Sequence, residues 1–186
     1  MLNDSTAEQS VDQLIKIFDR CFYAEFNTRL VRGGDEPVYL AANGVRDYHQ
    51  VVFAHGYFSS ALHEVAHWCI AGPARRAIDD YGYWYAPDGR TPEQQQAFEQ
   101  VEVKPQALEW IFSVAAGIKF RISADNLSGE SADSEPFMIA VFEQVMVYCE
   151  QGLPARASFF RDALADTFNA GKALDKQSFK VADLVL

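Results

Sequence analysis

The chain has 186 residues, of which 49% are hydrophobic and 23% charged, and this is the size and composition of one globular domain with a substantial core. Its net charge of −10 repels phosphate backbones, so direct nucleic-acid binding is not expected. Three widely spaced cysteines argue against a disulfide framework and against a cysteine-rich zinc site. The N-terminal residues lack a signal-peptide pattern, and no apolar run reaches the roughly 18 residues of a membrane span. We therefore expect a single cytoplasmic domain over residues 1–186.

The first part of the chain predicts one helix followed by short strands. Apolar residues at helical spacing indicate an amphipathic helix over residues 7–23. Glycine and acidic turn residues then separate short extended runs, which is typical of a small sheet. A further helix follows, and we expect Ser59 or Ser60 to cap its start. The predicted strands are Thr28–Val31, Pro37–Ala41 and Val51–Ala54.

The second part of the chain predicts mainly helices. Thr91 and Pro92 are residue types favoured at a helix start, so a long helical region is expected from about 92 to 118. Pro105 interrupts this region, which predicts either a kink or two successive helices. The polar segment 123–136 predicts a loop. Helices are predicted over about 137–151 and 155–170, and residues 171–186 are expected to be peripheral.

The sequence HEVAH at residues 63–67 is the most informative feature of the chain. Residues four apart lie on the same face of a helix, so the imidazoles of His63 and His67 can bind one metal ion. In zinc hydrolases that carry this HExxH motif, the glutamate activates a bound water, and Glu64 occupies that position. The motif therefore predicts a metal centre with Glu64 beside it.

Two imidazoles alone would hold a metal ion weakly, so a third protein ligand is expected. Pro73 stands where the extended motif HExxHxxGxxH has its third histidine, which excludes that subclass. The candidate carboxylates are Glu99, Glu102 and Glu109 in the long helical region. Glu102 is flanked by valines and is expected to be buried, whereas Glu99 follows a polar run and is the reserve. Two histidines and one carboxylate describe both zinc hydrolases and non-haem iron(II) oxygenases, so the residues alone leave both classes open.

Several long strings resemble the bacterial elongation factor P hydroxylases. They include VVFAHGYFSSALHEVAHWCIAGPARR at 51–76, GYWYAPDGR at 82–90 and VEVKPQALEW at 101–110. These strings are long and are not shared with general HExxH enzymes, so the resemblance is specific. It covers the central part of the chain. It implies a single α/β (α+β) domain in which helices pack on a small mixed sheet. It further implies a zincin-like arrangement, similar to that of a metal-dependent ribonuclease, with the HExxH motif on a helix.

The family that the chain resembles is understood to hydroxylate the lysine of elongation factor P that carries a β-lysyl group. The resemblance therefore implies a monooxygenase-type oxidoreductase with iron(II), or zinc as the alternative ion, and dioxygen as co-substrate. The implied metal ligands are His63, His67 and Glu102, with Glu64 as the catalytic or proton-relay residue, and nothing marks a site for a 2-oxo acid. A β-lysylated lysine presents two amines, so its pocket should offer carboxylates and aromatic faces. The candidates are Asp79, Asp80, Tyr83, Trp84 and Glu109.

Two other classes remain open at this point. A zinc-dependent hydrolase, either a peptidase or an endoribonuclease, would use the same motif, although the net charge of −10 argues against the ribonuclease. A protein-binding module with a structural zinc is disfavoured, because such sites are usually closed by four ligands rich in cysteine. His55, just before the motif, is expected either to support the metal centre or to have a purely structural role.

Overall fold

The computed structural model describes residues 4–81, 89–123, 135–168 and 173–184. In these residues α-helices pack around one small sheet, which confirms the predicted mixed α/β class. The strands are β1 (Thr28–Arg32), β2 (Val38–Leu40) and β3 (His49–Phe53). The helices are α1 (Asp4–Phe26), α2 (Phe58–Ile70), α3 (Pro92–Ala116), α4 (Glu135–Gln151) and α5 (Ala155–Phe168).

The sheet is mixed, and its central strand leads directly to the HExxH helix. The strand order is β1-β3-β2, with β1 parallel and β2 antiparallel to β3. Val51 in the centre of β3 pairs with Leu30 on one side and with Tyr39 on the other. Asp80 extends the β2 edge, because its backbone N–H and C=O both bond to Tyr39 at 2.8 Å. This sheet therefore forms one wall beside α2.

The junction between β3 and α2 differs from the prediction. Neither Ser59 nor Ser60 caps α2; the Ser60 hydroxyl instead accepts a hydrogen bond from the Ala54 N–H at 3.1 Å. The chain turns at His55, whose φ of 53° is left-handed, and the His55 N–H bonds to the Gly34 carbonyl at 2.8 Å. The Ser60 hydroxyl therefore bonds to the turn rather than to the helix start. His55 is half exposed, with Nδ1 3.8 Å from an Asp35 carboxylate oxygen. In the described structure His55 therefore has a structural role in the turn.

The long helix α3 is continuous through Pro105, so the predicted alternative of two successive helices is wrong. Pro105 removes one N–H from the helix, but it is buried where α3 packs against α2, α4 and α5, and this packing maintains a single helix. The predicted start is confirmed. The Thr91 hydroxyl accepts from the Gln94 N–H at 3.3 Å, and the Gln94 side chain accepts from the Thr91 N–H at 3.0 Å.

An aromatic cluster in the core fixes α2 against α1 and α5. The rings of Phe18, Phe22, Trp68 and Phe160 have centroids between 4.7 and 6.1 Å apart. All four side chains are almost fully buried. Burial of large aromatic rings stabilises a core strongly, so α2 has little freedom to move relative to its neighbours.

The C-terminal segment is less peripheral than predicted. In residues 173–184, Phe179 and Leu184 are buried, and the Phe179 ring packs on Trp110 of α3 with centroids 5.3 Å apart. The expectation for residues 171–186 is therefore wrong at these two side chains. Among the helices of the described residues, none combines the length and the apolar character needed to cross a bilayer.

Candidate active site

The candidate metal centre forms where α2 packs against α3. His63 and His67 lie one turn apart on α2, with their Nε2 atoms 3.1 Å from each other. The Glu102 carboxylate reaches them from α3, with Oε1 3.2 Å from His67 Nε2 and Oε2 3.5 Å from His63 Nε2. One ligand atom from each of the three residues lies within 4.8 Å of the others. The structure thus brings together the three residues that were predicted as ligands, in a group that could hold a metal ion.

The burial of the two candidate glutamates favours Glu102 over Glu99. The Glu102 side chain is 4% exposed, in agreement with its valine neighbours in the sequence. Glu99 is partly exposed and accepts a hydrogen bond from Gln95 Nε2 at 3.0 Å within its own helix. Within the described residues, Glu102 joins the histidine pair in a group that could hold a metal ion, and Glu99 does not.

Glu109 lies behind His63, where it can orient the ring. Its Oε2 atom is 2.8 Å from His63 Nδ1, so the other ring nitrogen, Nε2, is left facing Glu102 and His67. Histidines that bind metals usually donate their second N–H to such a carboxylate. Glu109 was predicted as a substrate contact, and the structure instead places it on His63. The available sequence signal was its spacing of seven from Glu102, which puts both carboxylates on one face of α3.

The charges in this group balance each other. Burial lowers the pKa of His63, but the hydrogen bond to Glu109 and the carboxylates of Glu109, Glu102 and Glu64 outweigh burial and raise it to about 10. Burial raises the pKa of Glu102, but the hydrogen bond with His67 and the two histidine charges outweigh burial and lower it. The metal-free group therefore holds a proton on His63 as counter-charge to the buried carboxylate. A bound cation can replace that proton.

The donor set fits a divalent transition-metal ion. Oε2 of Glu102 is buried and has no hydrogen-bond partner in the described structure, and a bound cation would satisfy it. Two imidazole nitrogens and one carboxylate oxygen suit zinc and iron(II), and three protein ligands leave coordination positions open. Such a centre can bind a small co-substrate directly.

A cavity of about 430 Å³, called here the site cavity, opens beside this group. Glu64, His67 and Glu102 line it on one side. Burial raises the pKa of Glu64, so its carboxyl can carry a proton next to the ligands. The described lining also includes the apolar side chains Val38, Val51 and Trp68 and the charged residues Asp35, Glu36, Arg75, Arg76 and Asp80.

The predicted substrate contacts have different positions in the structure. Asp80 lines the site cavity and forms an ion pair with Arg75. Asp79 was also predicted as a substrate contact, but it is not among the described lining residues of the site cavity. Its carboxylate accepts from the Ala41 N–H at 2.7 Å and from Arg46 Nη2 at 2.8 Å, which holds the loop after β2. Tyr83 and Trp84 lie outside the described residues.

Sequence reasoning missed Asp35 and Glu36, which line the site cavity in the turn before β2. Both are exposed, and Asp35 is 97% exposed, so their carboxylates lie at the mouth of the site cavity. Exposed acidic residues in a turn are common, so the sequence carried no signal that separated them from other surface carboxylates. The sheet brings them there, because the turn precedes the strand that forms the cavity wall.

Fold and site together define an α/β protein with a candidate two-histidine, one-carboxylate metal centre between two packed helices. Residues 17–179 match the elongation factor P hydroxylase family, and the chain belongs to that family. A protein of Haemophilus influenzae named elongation factor P lysine hydroxylase is 52% identical over 174 residues. The alignment covers 94% of this chain and 98% of that protein. The resemblance noted in the central strings is confirmed, and it extends through α4 and α5.

Proposed function

We propose that this protein is a non-haem iron(II)-dependent monooxygenase that hydroxylates the β-lysylated lysine of elongation factor P. Membership of the elongation factor P hydroxylase family and the name of the Haemophilus influenzae relative support the reaction and the protein substrate. The observation that carries the iron assignment is the group of His63, His67 and Glu102 beside an open cavity. This donor set is the one that non-haem iron(II) oxygenases use.

Each residue of the metal centre has a distinct task in this proposal. Iron(II) held by His63, His67 and Glu102 would supply the activation of dioxygen that a C–H hydroxylation requires. Glu109 holds the Nδ1–H of His63, so the Nε2 lone pair stays directed at the ligand group. Glu64 lines the site cavity, and its raised pKa allows the carboxyl to hold a proton there and to exchange it.

The site cavity suits a long cationic side chain. Val38, Val51 and Trp68 offer apolar surface to the methylene groups of the arm. Asp35 and Glu36 at the mouth can accept hydrogen bonds from its ammonium groups. Hydrogen bonds to charged groups contribute about 1.5–3 kcal/mol each when shielded from water, and less at an exposed mouth. The second amine of the β-lysyl group therefore gives the modified lysine an advantage over the unmodified one.

A zinc-dependent hydrolase is the second candidate, and the position of Glu64 favours it. This carboxyl lies beside the histidine pair and lines the site cavity, as the base of an HExxH hydrolase must. The two candidates differ in what Glu64→Gln does. A hydrolase would lose nearly all turnover, whereas a hydroxylase that uses Glu64 to hold a proton would keep its bound metal and part of its activity.

Mass spectrometry of the protein substrate tests the proposal. The enzyme, purified without oxygen and loaded with iron(II), is incubated with dioxygen, a reductant and elongation factor P in its β-lysylated or unmodified form. We expect a gain of about 16 Da on the β-lysylated form alone, and no gain with His67→Ala. Equal gain on both forms would contradict the preference for the modified lysine. Cleavage of peptide or RNA without oxygen addition would transfer the function to the hydrolase.

A further inference from the structure

A second depression, called here the basic groove, runs beside the site cavity and has a volume of about 690 Å³. It lies between the C-terminal end of α2, the middle of α3, the end of α4 and the start of α5. Arg76, Lys104 and Arg156 line it, and no aspartate or glutamate is found among its described lining residues. In a chain with a net charge of −10, such a local excess of cations is unexpected.

Two guanidinium groups of this groove share the same aromatic support. Arg76 and Arg156 lie 5.7 and 4.9 Å from the Trp68 ring centroid, and 5.4 and 5.6 Å from that of Phe26. Like charges this close repel each other. Burial is the larger cause that lowers the pKa of Arg156, and the charge of Arg76 lowers it further. A bound anion would relieve this repulsion.

Helix capping explains only part of this arrangement. Arg156 Nη2 donates to the carbonyls of Trp68, Cys69 and Ala71 at 3.2, 3.0 and 2.6 Å, at the negative end of α2. Capping does not explain why Lys104, exposed on α3, adds a further charge to the groove. In the described residues none of the three cations has a carboxylate partner, whereas the arginines at 29, 32, 46 and 75 each pair with an aspartate.

The basic groove adjoins the site cavity, because Ala71 and Arg76 line both. A protein that extends a lysine arm into the site cavity must therefore lay its surface close to the groove. We propose that the basic groove binds an acidic surface of the protein that carries the target lysine, an inference that rests on the proposed function. The cations come from three separate elements and line an open surface, which suits several carboxylates of a folded partner better than one small anion.

Lys104 is the best residue for a test, because it lies in the groove and does not line the site cavity. The matched control is Lys119, which is also exposed and lines neither depression. Lys104→Glu, Lys104→Gln and Lys119→Glu are compared in binding and turnover of β-lysylated elongation factor P. The same measurements use a short peptide that carries the same modified lysine.

We expect Lys104→Glu to raise the KM and the Kd for the whole protein about tenfold with kcat unchanged, and Lys104→Gln to have a smaller effect. Lys119→Glu and all values for the short peptide should equal those of the wild type. An equal effect of Lys119→Glu, or an equal loss with the peptide, would overturn the proposal. Competition by a single-stranded RNA 20-mer but not by a hexaglutamate peptide would instead assign the groove to nucleic acid. If the wild type adds no oxygen, the proposed reaction is contradicted. The Kd values of the Lys104 and Lys119 variants for the whole protein would still test whether the basic groove binds it.

Discussion

Glu109 determines how His63 can act, although it is not among the three candidate ligands. Its hydrogen bond to Nδ1 leaves Nε2 as the atom that faces the other ligands, and it keeps a negative charge near the ring. A ring that could rotate would lose entropy on binding a metal ion and would bind it more weakly. We therefore expect Glu109 to contribute to metal affinity by holding the ring in position.

Replacement of Glu109 should weaken metal binding without unfolding the protein. We expect Glu109→Leu to reduce affinity for a divalent ion about 10- to 100-fold, the range typical of such supporting carboxylates, and Glu109→Gln to have a smaller effect. Glu99→Gln, on the same helix but outside the ligand group, is the control. Titration of the metal-free proteins followed by metal analysis measures the affinities. Equal losses for Glu109 and Glu99 variants would show that the effect is not specific to His63.

The proton on His63 should make metal binding dependent on pH. The pKa of His63 is raised to about 10 in the metal-free protein, and it is about 6.5 in an unfolded chain. The stability from this proton is thus complete below about pH 6.5 and is lost as the pH rises toward about 10. Metal bound at Nε2 must displace the proton, so affinity should rise with pH over this window. Calorimetry at pH 7.5 in buffers of different ionisation enthalpy should show release of about one proton; a binding heat independent of buffer would contradict this.

Individual residues of the centre could be predicted where local spacing determines their position. His63 and His67 follow from the helical period, and Glu102 from its apolar neighbours. The roles of Asp79 and Glu109 could not be predicted, because each depends on a partner distant in the sequence, Arg46 or His63. Carboxylates near a motif look alike in sequence, and tertiary contacts decide which of them face the cavity.

At the scale of elements, the centre depends on the alignment of α2 with α3. His63 and His67 lie on one face of α2, and Glu102 and Glu109 lie on one face of α3. Leu62 on α2 and Leu108 on α3 are fully buried in the core. The start of α3 was predictable, because a capping box is a local pattern. The start of α2 was not, because Ser60 bonds to the preceding turn rather than to the helix. Pro105 shows that tertiary packing can keep a helix continuous where propensity predicts a break.

The cap at Thr91 should affect stability and leave metal binding unchanged. Thr91→Ala removes the acceptor for the Gln94 N–H, and we expect the free energy of unfolding to fall by about 1 kcal/mol. Glu102 lies further along α3 and is held by packing on α2, so the affinity of the protein for the metal ion should not change. Thr91→Ser keeps the hydroxyl and is the matched control. Urea unfolding and metal titration of both variants measure the two quantities, and weaker metal binding in Thr91→Ala would show that the cap also positions Glu102.

At the scale of the whole molecule, the negative charge is distributed unevenly. Carboxylates lie in and around the candidate metal centre and at the mouth of the site cavity, whereas three cations line the basic groove. The net charge of −10 could be read from the sequence, but its separation into two adjoining surfaces could not. That separation arises because the ends of α2, α4 and α5, which are distant in the sequence, meet only in the folded chain.

A metal ion at the centre should stabilise the entire domain, because α2 and α3 both contact the core. An ion that binds the folded state alone adds about 2.7 kcal/mol when its concentration is 100 times the Kd. We therefore expect iron(II) or manganese(II), added without oxygen, to raise the Tm of the metal-free protein, and a chelator to reverse the change. In His67→Ala the Tm should no longer respond to the ion, while Glu99→Ala should respond as the wild type does. A full response in His67→Ala would place the ion elsewhere, since the remaining imidazole and carboxylate are too few to hold it with wild-type affinity.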